Sequence, residues 1–202
     1  MKLEIHNAKE PIVTNHSVVL ITADGRSLHD DLENFVRFEI PHDVYCIGRS
    51  IQVVTPPVDH FGDVDADSSV WVAEHLPDKA RNGHILRHTL GDYRSYDVDW
   101  KVIDAPYDWR TDLWHGSTSL FAVLTCLGMG YECIILAGSP LDFNGHWYDL
   151  PGVDGPGWTG LTYRAWLDFW RTEDAKKVRS MSGYTAQFLG RPTKTWLSGL
   201  QE

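Results

Sequence analysis

The stretch GSTSLFAVLTCLGMGYECIILAGSPLDFNGHWYD, residues 116–149, decides the fold. Gly116-Ser117-Thr118-Ser119 opens a predicted helix, with Leu120, Val123, Leu124 and Leu127 at helical spacing and Gly128 and Gly130 closing it. Cys133-Ile134-Ile135-Leu136-Ala137-Gly138 follows as an apolar strand. A strand with no polar alternation is buried on both faces, which predicts a parallel sheet flanked by helices.

Working outward, Ser17 to Thr22 predicts a buried strand that ends at the turn Asp24-Gly25. A helix capped by Ser27 follows, with Leu28, Leu32, Phe35 and Val36 on one face and Asp30 and Asp31 in its first turn. Strands are expected at Asp43–Gly48, Ser69–Ala73, His84–Leu86 and Trp100–Ile103. The Gly-, Pro- and aromatic-rich residues 144–160 predict a long loop, Leu161 to Lys177 a helix, Val178 to Gly183 a last strand and turn, and Tyr184 to Leu189 a closing helix. This alternation predicts one doubly wound α/β domain with a mainly parallel sheet over residues 1–202, its core in 17–190.

The composition narrows the function. The chain has 202 residues and a formal charge of −10, which disfavours nucleic acid and anionic membrane surfaces as partners. No apolar run approaches the roughly 20 residues of a membrane span, and MKLEIHNAKEPIV does not resemble a signal peptide. Cys46, Cys126 and Cys133 are odd in number and lie in apolar runs, so reduced core thiols and a cytoplasmic location are expected.

In doubly wound sheets, ligands bind beyond the carboxyl ends of the strands, where the strand order reverses. The chain places small and polar residues at those ends: Asp24-Gly25-Arg26-Ser27, Gly48-Arg49-Ser50, Gly116-Ser117-Thr118-Ser119, Gly138 to Asp142, Gly145 to Asp149 and Ser180 to Gly183. Glycines admit a ligand to the backbone, and free N–H groups and hydroxyls hold phosphates. Neither GxGxxG nor a P-loop is present. Asp63-Val64-Asp65-Ala66-Asp67 has the DxD spacing that in some enzymes holds a metal and a sugar nucleotide, but the pattern is short and common, and an acidic surface loop accounts for it better. His84, Arg87, His88 and Arg94 read either as an anion-binding surface or as a solvated edge. His146, Tyr148 and Asp142 form a candidate acid–base set, and no residue pattern identifies a metal site.

Residues 116–149, together with VVLITADGRSL at 18–28 and RSMSG at 179–183, resemble the superfamily of the bacterial sialyltransferases of glycosyltransferase family 42 and the proteins related to archaeal 6-hydroxymethylpterin diphosphokinase. Compact members of that group are often phage-encoded. The first motif carries Ala23 and Arg26 where the family has Gly and Pro. The resemblance implies a Rossmann-like domain with a nucleotide or nucleotide-sugar in its cleft. It places Asp24, Gly25, Arg26 and Ser27 beside phosphate and ribose, with Gly48 and Arg49 following the second strand. It places Gly116, Ser117, Thr118 and Ser119 at phosphate or donor sugar, and Ser180, Ser182 and Gly183 at the base or ribose. His146 becomes the general base toward an acceptor hydroxyl, and Tyr148 the stabiliser of the leaving phosphate.

Three functions stay open. The favoured one is a glycosyltransferase-like enzyme taking a CMP- or other NDP-sugar. The second is a diphosphokinase-like enzyme in which Asp142 holds Mg²⁺. The third is a non-catalytic phage nucleotide-binding or interaction protein. All three expect a small-molecule partner and leave self-association into a homo-oligomer open.

Overall fold

A computed structural model describes residues 14–55, 57–63, 71–72, 74–76, 85–89, 101–104, 117–150 and 160–199. Seven strands form one sheet: β1 Val18–Thr22, β2 Asp43–Ile47, β3 His60–Asp63, β4 Leu86–Thr89, β5 Lys101–Asp104, β6 Cys133–Ala137 and β7 Val178–Ser180. Every pairing is parallel, and the order is β5-β4-β3-β2-β1-β6-β7. The chain winds outward from β1 to β5, then returns to the other side of β1 with β6. The order therefore reverses between β1 and β6, as expected of a doubly wound α/β fold.

The period of two along each strand separates the two faces. Val19 and Ile21 of β1, Tyr45 and Ile47 of β2 and Ile134 and Leu136 of β6 pack under α2, Thr118–Met129, and α3, Gly160–Trp170. Leu20, Ile135 and Ala137 point the other way, against Leu28 and Phe35 of α1, Leu28–Val36. All five residues of β2 and of β6 are buried. Full burial of one such aliphatic side chain stabilises the fold by about 1.5–3 kcal/mol, so these two strands, which flank β1, anchor the sheet. Two short helices complete the described chain, α4 Gly183–Leu189 and α5 Lys194–Ser198. The three cysteines are free and buried. No helix among the described residues is long and apolar enough to cross a membrane.

Several expectations need correction. Trp71 and Val72, read as part of a strand, are helical. The run Leu161–Lys177 is not one helix: α3 stops at Trp170, and Glu173–Lys177 forms a separate 3-10 turn. Strand β3 lacks the β-branched run that marks a strand in sequence, and its conformation comes from pairing with β2 and β4. His88 is no solvated edge residue. It is fully buried, and its Nε2 lies 3.2 Å from Nδ1 of His60. His60 Nε2 meets the Tyr131 hydroxyl at 2.7 Å, and that hydroxyl donates to Asp43 at 2.7 Å. This polar chain crosses the floor of the α2 face, and burial pushes His60 down to about 4. His84, Arg94 and most of the acidic stretch 63–67 lie outside the described residues.

Candidate functional site

Beyond β1 the backbone turns through Asp24-Gly25-Arg26-Ser27 into α1. This turn docks against the chain leaving β6. The Gly25 N–H donates to Gly138 O at 2.7 Å, Arg26 N–H to Gly145 O at 3.1 Å, and Trp147 N–H to Asp24 O at 2.9 Å. Gly25 and His146 form an isolated antiparallel bridge. A β-carbon on Gly25 would sit 2.5 Å from Pro140 and 2.6 Å from Gly138 O, so only glycine permits this approach. The reversal of strand order thus fixes the backbone of His146 against the first turn of the chain. Leu141 holds a left-handed φ of +53° beside this turn. Such a conformation costs a non-glycine residue about 1–2 kcal/mol, and its buried side chain in the α2-face core stabilises it there.

The loop after β2 enters from the other side. Gly48 has φ +58°, and a β-carbon there would lie 2.3 Å from Oδ2 of Asp24. That oxygen accepts the Arg49 N–H at 3.0 Å, while Oδ1 of Asp24 is buried and has no hydrogen bond among the described residues. Burial pushes the Asp24 carboxyl up to about 6, against the opposing pull of the Arg49 N–H, His146 and Trp147.

The Arg49 guanidinium lies between two rings, 4.7 Å from Trp71 and 4.5 Å from Tyr148. Among the described residues no carboxylate pairs with it, and it meets only these rings. Tyr148 in turn stacks on His146, with centroids 5.0 Å apart and planes 2° from parallel. Burial pushes the Tyr148 phenol up to about 12, so its hydroxyl remains a donor at neutral pH. His146 Nδ1 lies 3.0 Å from Oδ2 of Asp149, which also accepts the His146 backbone N–H at 2.7 Å. Arg26 Nη2 reaches the carbonyls of Asp149 and Leu150, each at 3.4 Å, and ties down the end of this loop.

A second cluster braces the first. Asp31 Oδ2 accepts from Gly138 N at 2.8 Å, Ser182 Oγ at 2.7 Å and Ser27 Oγ at 3.0 Å. Ser182 Oγ also lies 2.8 Å from Ser27 Oγ. One carboxylate of α1 therefore joins the loops after β1, β6 and β7.

The structure thus gathers Asp24, Gly25, Arg26, Ser27, Gly48, Arg49, His146, Tyr148 and Ser182 at one end of the sheet. Ser180 instead packs inward, sharing a 2.8 Å hydrogen bond with Thr185, and Gly183 begins α4. Ser117 caps α2: its Oγ accepts Leu120 N–H at 3.2 Å and the Trp166 indole N–H at 3.1 Å. Among the described residues no hydrogen bond joins Ser117, Thr118 or Ser119 to the Asp24–Arg49–His146 group. Gly116 lies outside the described residues. Asp142 closes its own turn by accepting from Asn144 N at 3.1 Å and Nδ2 at 2.8 Å. No three His, Cys, Asp or Glu side chains converge to hold a metal ion among the described residues.

The sequence gives no individual role at the site to Asp149, Asp31 or Trp71, although Asp149 lies in a strand-end stretch and Asp31 in the first turn of a helix. Asp149 had a signal, its H-x-x-D spacing from His146. Asp31 also had one, standing one helical turn beyond Ser27. Trp71 had none, because it reaches Arg49 only through tertiary folding.

No family model matches the chain, and no curated protein matches it. Its fold is similar to that of the monofunctional alpha-2,3-sialyltransferase Cst-I from Campylobacter jejuni. The two are 13% identical, the match covers 94% of this chain and 84% of that chain, and the TM-score is 0.54. At that identity the likeness establishes a shared α/β fold, while function rests on the site.

Proposed function

We propose that this cleft binds a nucleotide-sugar, a CMP-sugar or another NDP-sugar, and that the protein transfers the sugar to an acceptor hydroxyl with His146 as general base. The observation that carries this is the stack Trp71–Arg49–Tyr148–His146 at the strand-order reversal. It brings a cation without an acidic partner among the described residues, a protonated phenol and an imidazole into one row. The fold shared with a sialyltransferase supports the same assignment.

In the proposed step the acceptor oxygen attacks the anomeric carbon and gives its proton to His146. The bond from that carbon to the phosphate oxygen breaks, and its electron pair leaves with the phosphate. Arg49 and the Tyr148 hydroxyl meet the charge that develops there. Asp24 suits a phosphate neighbour only in part. Its carboxyl, pushed up to about 6, repels an anion when ionised and accepts one more readily when protonated.

Turnover of CMP-sugar and NDP-sugar donors with glycan acceptors tests the assignment. His146→Ala is expected to lower turnover by about 10²–10⁴-fold, the usual contribution of a general base, with nucleotide affinity unchanged. Full turnover in that variant, or none in the wild type with any donor, would overturn it. Mg²⁺-dependent phosphoryl transfer lost in Asp142→Asn would replace it with the diphosphokinase-like function.

A further inference from the structure

The geometry points to Asp149 as a positioning residue that locks His146 in the tautomer with hydrogen on Nδ1, leaving the Nε2 lone pair to take the acceptor's proton. This rests on the assignment of His146 as general base. One oxygen, Oδ2 of Asp149, receives both the backbone N–H of His146 at 2.7 Å and its ring Nδ1 at 3.0 Å. The two contacts reinforce each other. The His146 N–H, the larger effect, holds the Asp149 carboxyl below the usual carboxylate range. An ionised carboxylate only accepts, so the ring nitrogen facing it carries the hydrogen. The neutral ring then has its lone pair on Nε2, which has no hydrogen-bond partner among the described residues.

The surroundings remove the other freedoms of the ring. The Gly25 bridge and the Trp147 N–H to Asp24 O bond hold the backbone on both sides of His146. Tyr148 covers one ring face at 5.0 Å, and Tyr148 is itself backed by Arg49. Arg26 clamps the Asp149 carbonyl at 3.4 Å. Rotation of the ring by half a turn would put Cδ2 where Nδ1 stands and break the Asp149 bond. Asp149 is the only member of this set that distinguishes one nitrogen from the other, because stacking and backbone bonds are indifferent to the tautomer.

Histidine-¹⁵N-labelled protein at pH 8, above the range in which histidines ordinarily take up a proton, tests this by long-range ¹H–¹⁵N correlation. The His146 signal is assigned by its loss in His146→Gln. The expected result is hydrogen on Nδ1 in the wild type and a shift toward the Nε2–H form, or an average of the two, in Asp149→Asn. Hydrogen on Nε2 in the wild type would overturn the inference without any variant. An unchanged tautomer in Asp149→Asn would do the same. Kinetically, Asp149→Asn is expected to lose at least tenfold in kcat with donor KM unchanged, and full kcat would overturn the positioning role. If the wild type turns over no donor, the transferase assignment falls and the tautomer spectra alone judge Asp149.

Discussion

Replacing Asp24 with asparagine is expected to stabilise the protein at pH 8 more than at pH 5. Burial lifts the Asp24 carboxyl from 3.8 to about 6. The folded state therefore prefers the protonated acid more than the unfolded chain does. The associated stability is fully present below pH 3.8 and is lost as pH rises through 6. Each pH unit between those two values is worth about 1.4 kcal/mol, so an ionised Asp24 costs the fold about 3 kcal/mol at pH 8, and roughly half of that at pH 5. Asparagine carries no charge at either pH and keeps a carbonyl oxygen for the Arg49 N–H now held at 3.0 Å. Its bond to that N–H is weaker than a carboxylate's, which offsets about 1 kcal/mol of the gain. The net gain at pH 8 is then about 2 kcal/mol, or about 4–8 °C in Tm for a chain of this size. Scanning calorimetry of wild type and variant in matched buffers reads this directly. A Tm difference independent of pH, or a variant less stable than wild type at pH 8, would refute the reasoning. A buried acid retained at such a cost is characteristic of functional sites.

Two further outcomes follow from buried groups. His60 is held neutral by burial and pushed down to about 4, below the ordinary 6.5, so the unfolded chain takes the proton first. Stability is then lost as pH falls from 6.5 to 4, by up to about 3 kcal/mol; Asp24 titrates in the opposite sense over the same range, so the test is made in Asp24→Asn, where a urea midpoint that stays flat from pH 7 to pH 5 would contradict this. Asp31→Ala strips the shared acceptor from Gly138 N–H, Ser27 and Ser182. It should cost about 2–4 kcal/mol, since three donors lose a charged partner, and it should speed hydrogen exchange at the Gly138 amide. Unchanged exchange there would show that the three loops hold without it.

The elements legible in the sequence were those whose burial is complete. Strands β1 and β6 are unbroken apolar runs, and the structure buries both faces of each. Helix α2 was bracketed by Ser117 and Gly130, and both act as caps. What the sequence hid depended on partners distant along the chain. His60-Phe61-Gly62-Asp63 has no strand signature until β2 and β4 flank it. Gly62 is there because the Tyr45 side chain fills the space a β-carbon would take, at 2.1 Å from its hydroxyl. Ser69-Val70-Trp71-Val72-Ala73 is rich in strand formers, yet Trp71 and Val72 are helical, a case of tertiary packing overriding propensity. At the site, the loops after β1, β2 and β6 were legible because small and polar residues at strand ends have few other uses. The pairing of His146 with Asp149 was not, since a local H-x-x-D spacing acquires meaning only when the turn closes. Of the donors to Asp31 only Ser27, one helical turn before it, was legible, because Ser182 is 151 residues away in sequence.

Nucleotide binding through Arg49, in the cleft where β1, β2 and β6 end, is what the proposed function requires first. Calorimetric titration with CMP, UMP, GMP, ADP and ATP, with and without Mg²⁺, tests it most directly, run on the wild type and on Arg49→Met. The expected result is metal-independent binding of a pyrimidine nucleotide, weakened about tenfold or more in Arg49→Met, as loss of a charged hydrogen bond implies. Binding of no nucleotide, or equal affinity in the two proteins, would contradict it.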